Sequence, residues 1–195
     1  MADDYNILDT PVSGGRNWPY LNSSNKNLLP LQFSMYVSKT CGADIGIIYP
    51  FEVPLNVTID AFLVNVTGAV GASKGRAALF NVNTSGQPGT IIVQSGDIDT
   101  TTTGAKALTF TAQSLAAGFY YMGLVANAAI TFQGAYSSFY GANPTLIGCS
   151  NSIFAFGRFE SILAGGWSAW GDTPTISDTK SVSNADTILA GLRCT

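Results

Sequence analysis

The chain has 195 residues, a formal net charge of −3, no histidine and only 11% charged residues, where roughly a quarter is usual for globular chains. That length holds one all-β domain with appendages rather than two full domains. Without histidine, Ser-His-Asp and Cys-His catalysis and imidazole metal ligation are excluded. Without a run of Lys or Arg, phosphate neutralisation has no source, so no nucleic acid is expected as a partner.

The first residues, Met1-Ala2-Asp3-Asp4-Tyr5-Asn6, are acidic and carry no apolar core, so a secretory signal is not expected there. No stretch approaches 18 uninterrupted apolar residues, so no membrane insertion is expected either. Cys41, Cys149 and Cys194 are odd in number, widely spaced and lack a C-x-x-C pair. That argues against a disulfide framework and a zinc site. Reduced, buried thiols are expected, with a Cys41–Cys149 bridge as the alternative.

Residues 1–30 read as an arm. Turn and loop chemistry dominates at Asp9–Gly15 and Asn22–Asn27, yet Tyr5, Ile7, Leu8, Trp18 and Tyr20 are spaced along it like pegs. Pure linkers lack such residues. The arm is therefore expected to dock on a neighbouring molecule; folding back onto its own domain is the competing reading.

Residues 31–147 carry a series of short strands. Leu31–Val37, Ile45–Phe51, Asn56–Thr67, Arg76–Asn83, Thr90–Asp97, Ala107–Thr111, Gly118–Ala126 and Ile130–Gln133 are rich in β-branched and aromatic residues. Gly, Pro, Asn and Ser clusters separate them, the pattern of a sandwich or jelly roll. In Asn56–Thr67 the apolar parity switches, from Val57 and Ile59 to Phe62, Val64 and Val66, which predicts a bulge at Asp60-Ala61. In Gly118–Ala126 both faces are apolar: Phe119, Tyr121 and Val125 on one, Tyr120, Met122 and Leu124 on the other. Ala77–Val82 behaves alike. A single sandwich core uses one face of each sheet. The second face needs cover from the rest of the chain or from other subunits, and the low charge content favours an assembly.

Connections are read as follows. Gly71-Ala72-Ser73-Lys74-Gly75-Arg76 lacks the phosphate-loop spacing and precedes a strand, so it is a turn. Asn83–Gly89 is a long turn, and Thr100–Thr103 an exposed connector.

Residues 148–195 read as a C-terminal extension. Ile153–Phe159 has the composition of a returning strand, and Gly165–Gly171 is a loop bearing Trp167 and Trp170. Indoles between glycines serve either as anchors of a subunit contact or as platforms for a host surface glycan; the contact is favoured. Asn184 is placed to cap a short helical turn carrying Ile188, Leu189 and Leu192.

Carboxylate-only chemistry remains conceivable without histidine. Asp97 and Asp99, two apart, share one face of a strand end, but beside a Thr run they read as turn chemistry or at most a weak Ca²⁺ site. Glu52, Glu160 and Asp172 are too scattered to pair. Asp60, inside an apolar strand, is expected to bond a loop backbone. No catalytic, cofactor or metal site is expected.

Leu55–Asp60, Gly75–Asn81, Gly86–Gly89, Thr102–Phe110 and Leu115–Tyr120 come in an order of turns and strands that resembles the β-sandwich module of bacteriophage virion surface proteins, of the tail-fibre and capsid-decoration type. The likeness covers residues 31–147. It implies a jelly-roll-like antiparallel β-sandwich that is structural rather than enzymatic. It further implies a homo-oligomer, with a trimer favoured, assembled in the host cytoplasm onto major capsid or tail proteins. The chain is short and has no heptad shaft, which favours a capsid decoration or cement protein docking through its arm. A tail-fibre or baseplate-tip protein for host attachment is the alternative; from other classes, a carbohydrate-binding module comes next and an acid-only glycosidase last.

Overall fold

The computed structural model describes residues 21–22, 27–28, 36–53, 55–135, 159–162, 187–188 and 190–195. Among these there is strand and no helix. Two antiparallel sheets, of eight and six strands, pack face to face as a β-sandwich.

The first sheet is built on β5 (Val57–Gly68). One side of β5 pairs along its length with β9 (Gly104–Leu115). Its other side is shared. Near its C-terminal end β5 meets β11 (Ile130–Ala135), at Phe132↔Val66 and Thr131↔Gly68. Further along it meets β14 (Ala190–Cys194), which itself pairs with β2 (Asn27–Leu28), and β2 with β1 (Leu21–Asn22). β11 also carries β3 (Tyr36–Cys41) and β13 (Thr187–Ile188). The last strands of the chain thus enter a fork between β5 and β11.

The second sheet runs β12 (Phe159–Ile162), β4 (Ile45–Val53), β10 (Gly118–Ala126), β6 (Lys74–Val82), β7 (Pro88–Gln94), with β8 (Ile98–Asp99) also on β6. The chain crosses between sheets at most turns, so hairpins within one sheet are few. Successive strands therefore deposit their inward residues on opposite walls of one core.

That core takes Ile59, Phe62, Val64 and Val66 of β5, Phe132 of β11, Leu28 and Leu192 from one wall. The facing wall supplies Ile47 and Tyr49 of β4, Ala77 and Leu79 of β6, and Met122 and Leu124 of β10. The predicted bulge is present. Arg193 pairs with Ala61 and Cys194 with Ile59, so one step on β14 spans two on β5 and Asp60 is the extra residue. This resets parity so that Ile59 and Phe62 both face inward.

The outward face of the second sheet is apolar too, as its sequence requires. Ile48, Ala78, Phe80, Tyr121 and Val125 form a separate buried cluster, with Val82 and Ile91 against it. Among the described residues the large apolar side chains left exposed are Val70 and Phe119.

Several local expectations change. Ile188 and Leu192 lie in strands, not in a helical turn. The Thr100 side chain is fully buried and shares a hydrogen bond of 2.7 Å with Ser73 Oγ, whereas Thr101 to Thr103 are exposed as the connector reading has it. The turn at Gly71-Ala72 is confirmed, with Ala72 at φ 57°. In the long turn after β6, Asn83 Oδ1 accepts from the backbone N–H groups of Ser85 and Gln87, each at 2.9 Å.

Candidate functional site

The side chains singled out from sequence for docking, Tyr5, Ile7, Leu8, Trp18 and Tyr20 of the arm and Trp167 and Trp170 of the extension, lie outside the described residues. So does Cys149. Cys41 is buried and its Sγ donates to the Ile45 carbonyl at 3.3 Å. Cys194 is half-buried, and that burial pushes its thiol pKa up.

Asp97 and Asp99 are held by separate partners. Asp97 accepts from Lys74 Nζ at 3.0 Å and from Arg76 Nε at 2.9 Å. Those two donors, Lys74 first, hold its carboxyl below the usual range. Asp99 instead accepts from the Thr101 hydroxyl at 2.6 Å and the Thr101 N–H at 2.9 Å, which lowers its pKa as well. Both carboxylates are tuned to stay ionised, the opposite of what a general acid requires. Among the described residues no group of three His, Cys, Asp or Glu side chains could hold a metal ion.

Asp60 corrects an expectation. It bonds a side chain rather than a loop backbone: Arg193 Nε donates to Oδ1 at 2.7 Å and Nη2 to Oδ2 at 2.8 Å. Arg193 is the one cation after Lys180, and the fork-to-fork geometry is the strongest form of such a pair. The pair lowers the Asp60 pKa and raises that of Arg193. The bulge makes it possible. As the inserted residue, Asp60 turns away from the core and toward the last strand.

A second tie reaches the same strand from the other sheet. Tyr49 Oη donates to the Ala190 carbonyl at 3.1 Å and accepts from the Ala190 N–H at 2.7 Å. On that flank of the terminal segment, β11 pairs with Ile188 and β2 with Leu192. Ala190 falls between them, where none of the described strands supplies a partner. The buried tyrosine hydroxyl fills the missing rung. The slot that accepts the C-terminal strand therefore recognises it three ways: a carboxylate for Arg193, an apolar site for Leu192, and a hydroxyl for the Ala190 backbone.

Among the described strands, the sheet edges carry the opposite kind of feature. β9 is an edge strand, and Lys106 on it pairs with Val64, so it projects on the core side of the sheet. β3 is an edge on the far side, and Lys39 pairs with the buried Phe132, again on the core side. Inward-facing lysines at edges oppose the docking of another strand, since the charge would be trapped against the newcomer. β9 also bulges: Thr109 pairs with Ala61 and Gln113 with Ile59, so three residues stand across from one. On the second sheet, β7 begins at Pro88 and its register shifts twice against β6. β1 and β8 are two residues long.

Sequence reasoning missed Tyr49, Arg193 and both guard lysines. Asp60 and its parity switch were visible, and a solitary cation in the last strand was the only sign of a partner for it.

No protein-family model matches this chain, and no curated protein matches it in sequence.

Proposed function

We propose that this chain is a non-enzymatic structural protein of a bacteriophage virion, exposed on the particle surface, with capsid decoration or cementing as its role. The observation that carries this reading is how the described polar side chains are used. Asp60, Asp97, Ser73 and Tyr49 each hold one strand or loop to another, and Asp99 caps its own turn. Such commitments make a rigid block rather than a reactive cleft. The two-sheet sandwich over residues 36–135 also agrees with the resemblance drawn from the turn and strand order.

In this reading the sandwich is the block and the N-terminal arm its attachment to the shell, with homo-oligomerisation, in trimers, adding further contact. Burial drives it. An arm that hides on the order of 1,000 Å² gains many kcal/mol gross at about 25 cal/mol/Å² of apolar area, and ordering and association costs reduce the net.

The test is the protein content of purified particles. A decoration protein is present at hundreds of copies per particle, and removing residues 1–20 leaves it folded but unbound. A few to a few dozen copies would move it to the tail and the host-attachment role. Absence from the particle ends the proposal.

A further inference from the structure

We infer that the outward face of the first sheet, where β3, β11, β5 and β9 lie side by side, is a binding platform for a neutral glycan. The inference goes beyond the structural role proposed above and does not depend on it.

Strand alternation decides what this face carries. Val64, Val66 and Phe132 point into the core, so Asn65 and Gln133 beside them point outward. The register sets Ser38 opposite Gln133 and Ala105 opposite Asn65. Ser38, Gln133, Asn65 and Ala105 thus form one row across four strands, about 14 Å long at the usual strand spacing, the reach of a short oligosaccharide. Ser38 and Ala105 are exposed, and Asn65 and Gln133 half-buried. The next row holds Thr40 and Thr131, whose hydroxyls share a hydrogen bond of 3.1 Å. Gly68 makes room for that pair, since a Cβ there would fall 2.9 Å from the Thr131 Cβ.

The central amides are set for a ligand. Asn65 Nδ2 donates to Gln133 Oε1 at 2.7 Å. That one bond fixes both side chains. It leaves the Asn65 carbonyl oxygen and the Gln133 amino group without another partner among the described residues. An amide acceptor beside an amide donor answers two adjacent sugar hydroxyls, each of which both gives and takes a hydrogen bond. A few polar groups fixed in this way orient a ligand and give it specificity. On the other side of the row, exposed Ala107 stands opposite half-buried Leu63. Their low apolar surface lets the C–H face of a pyranose ring lie flat.

Charge selects the occupant. Among the described residues these rows carry no ionised side chain, and the guard lysines Lys39 and Lys106 point to the opposite side of the sheet. Further along the face, Asp60 and Arg193 neutralise each other. A nucleic acid or an acidic polysaccharide calls for cations, which this face lacks. A protein partner anchors through aromatic or arginine side chains, and the rows offer neither. A neutral, hydroxyl-rich chain matches the platform hydrogen bond by hydrogen bond.

A glycan array tests this with the labelled full-length chain. The array carries neutral hexose and N-acetylhexosamine oligosaccharides beside sialylated and sulfated ones. The expected result is binding to one or more neutral glycans in preference to the acidic set. Asn65→Ala with Gln133→Ala should weaken the strongest neutral binder at least tenfold, and its melting temperature reports whether the fold holds. Ala105→Arg lays a long cation across the row from an exposed position. It blocks the platform without touching the core, and it serves if the double variant fails to fold. Binding to no neutral glycan overturns the inference, as does a preference for the acidic ones. Binding that both platform variants retain, or that Trp167→Ala with Trp170→Ala abolishes while the platform variants keep it, overturns it too. Particle composition judges the structural role separately, so each can fail without the other.

Discussion

Tyr49 and Ala190 are 141 residues apart in sequence, and one hydroxyl satisfies both backbone groups of Ala190. The tyrosine belongs to one sheet and the alanine to the other, so this pair bolts the sandwich together through its core. Burial pushes the Tyr49 pKa well above its ordinary value, so the hydroxyl stays protonated and able to donate.

Tyr49→Phe strands a buried donor and a buried acceptor while keeping the ring. A buried polar group that loses its partner costs about 1–3 kcal/mol. Urea unfolding should show that loss with the m-value unchanged. Tyr121→Phe, whose hydroxyl donates to the Gly86 carbonyl of a half-buried turn at 2.6 Å, should cost less. Equal losses would mean that the Ala190 rung is not special.

The Phe62 and Phe110 rings meet at a tilt of 51° with centroids 5.0 Å apart, but they occupy different depths. Phe62 is fully buried on the central strand β5, whereas Phe110 is half-buried on the edge strand β9. Phe62→Ala should destabilise by about 3–5 kcal/mol through lost transfer energy and a cavity. Phe110→Ala should cost about half as much, because the edge can collapse and solvent already reaches the ring. Thermal unfolding of the two variants ranks them, and a reversed order would contradict the depth argument.

Acid should weaken the fold through Asp60 and Asp97. Their folded pKa values lie below the ordinary carboxylate range, for Asp60 because of Arg193 and for Asp97 because of Lys74 and then Arg76. A depressed folded pKa contributes stability in full above the unfolded value of about 3.9. That contribution fades as pH falls through the folded value. Asp60→Asn and Asp97→Asn should therefore be less stable than the parent at pH 7 and should converge on it near pH 2. Added salt should shrink the Asp97 difference, since that pair is largely exposed. A gap that persists at pH 2 would assign the loss to packing.

Removing the guards should change solubility before it changes the fold. Lys39→Thr with Lys106→Thr keeps β propensity while deleting both inward charges. The double variant should unfold no earlier than the parent, yet self-associate at concentrations where the parent does not, as read by light scattering. A variant that stays monodisperse would show that the bulges and short edge strands suffice.

Much of the sandwich was readable in the chain itself. Gly118–Ala126 matches its strand end to end, because β-branched and aromatic residues on both faces admit only a strand buried on both sides. The bulge at Asp60 was legible for a similar reason: a parity switch inside an apolar run has one economical geometric answer. β3 was harder. Its Ser38-Lys39-Thr40 segment lacks apolar alternation, since an edge strand with a guard lysine does not follow the half-buried pattern.

Periodicity is a local signal, so sequence alone determined the main strands between Ile45 and Ala135. Only tertiary structure decided the fate of the last strand. Ala190-Gly191-Leu192-Arg193-Cys194 has no strong strand preference, and a capped helical turn was the natural local reading. Its conformation comes from ladder partners on β5 and β2 and from Asp60 and Tyr49, more than 130 residues away. No short window of sequence contains both a backbone hydrogen bond's owner and its distant partner, and here the distant partner carries the energy that selects the strand.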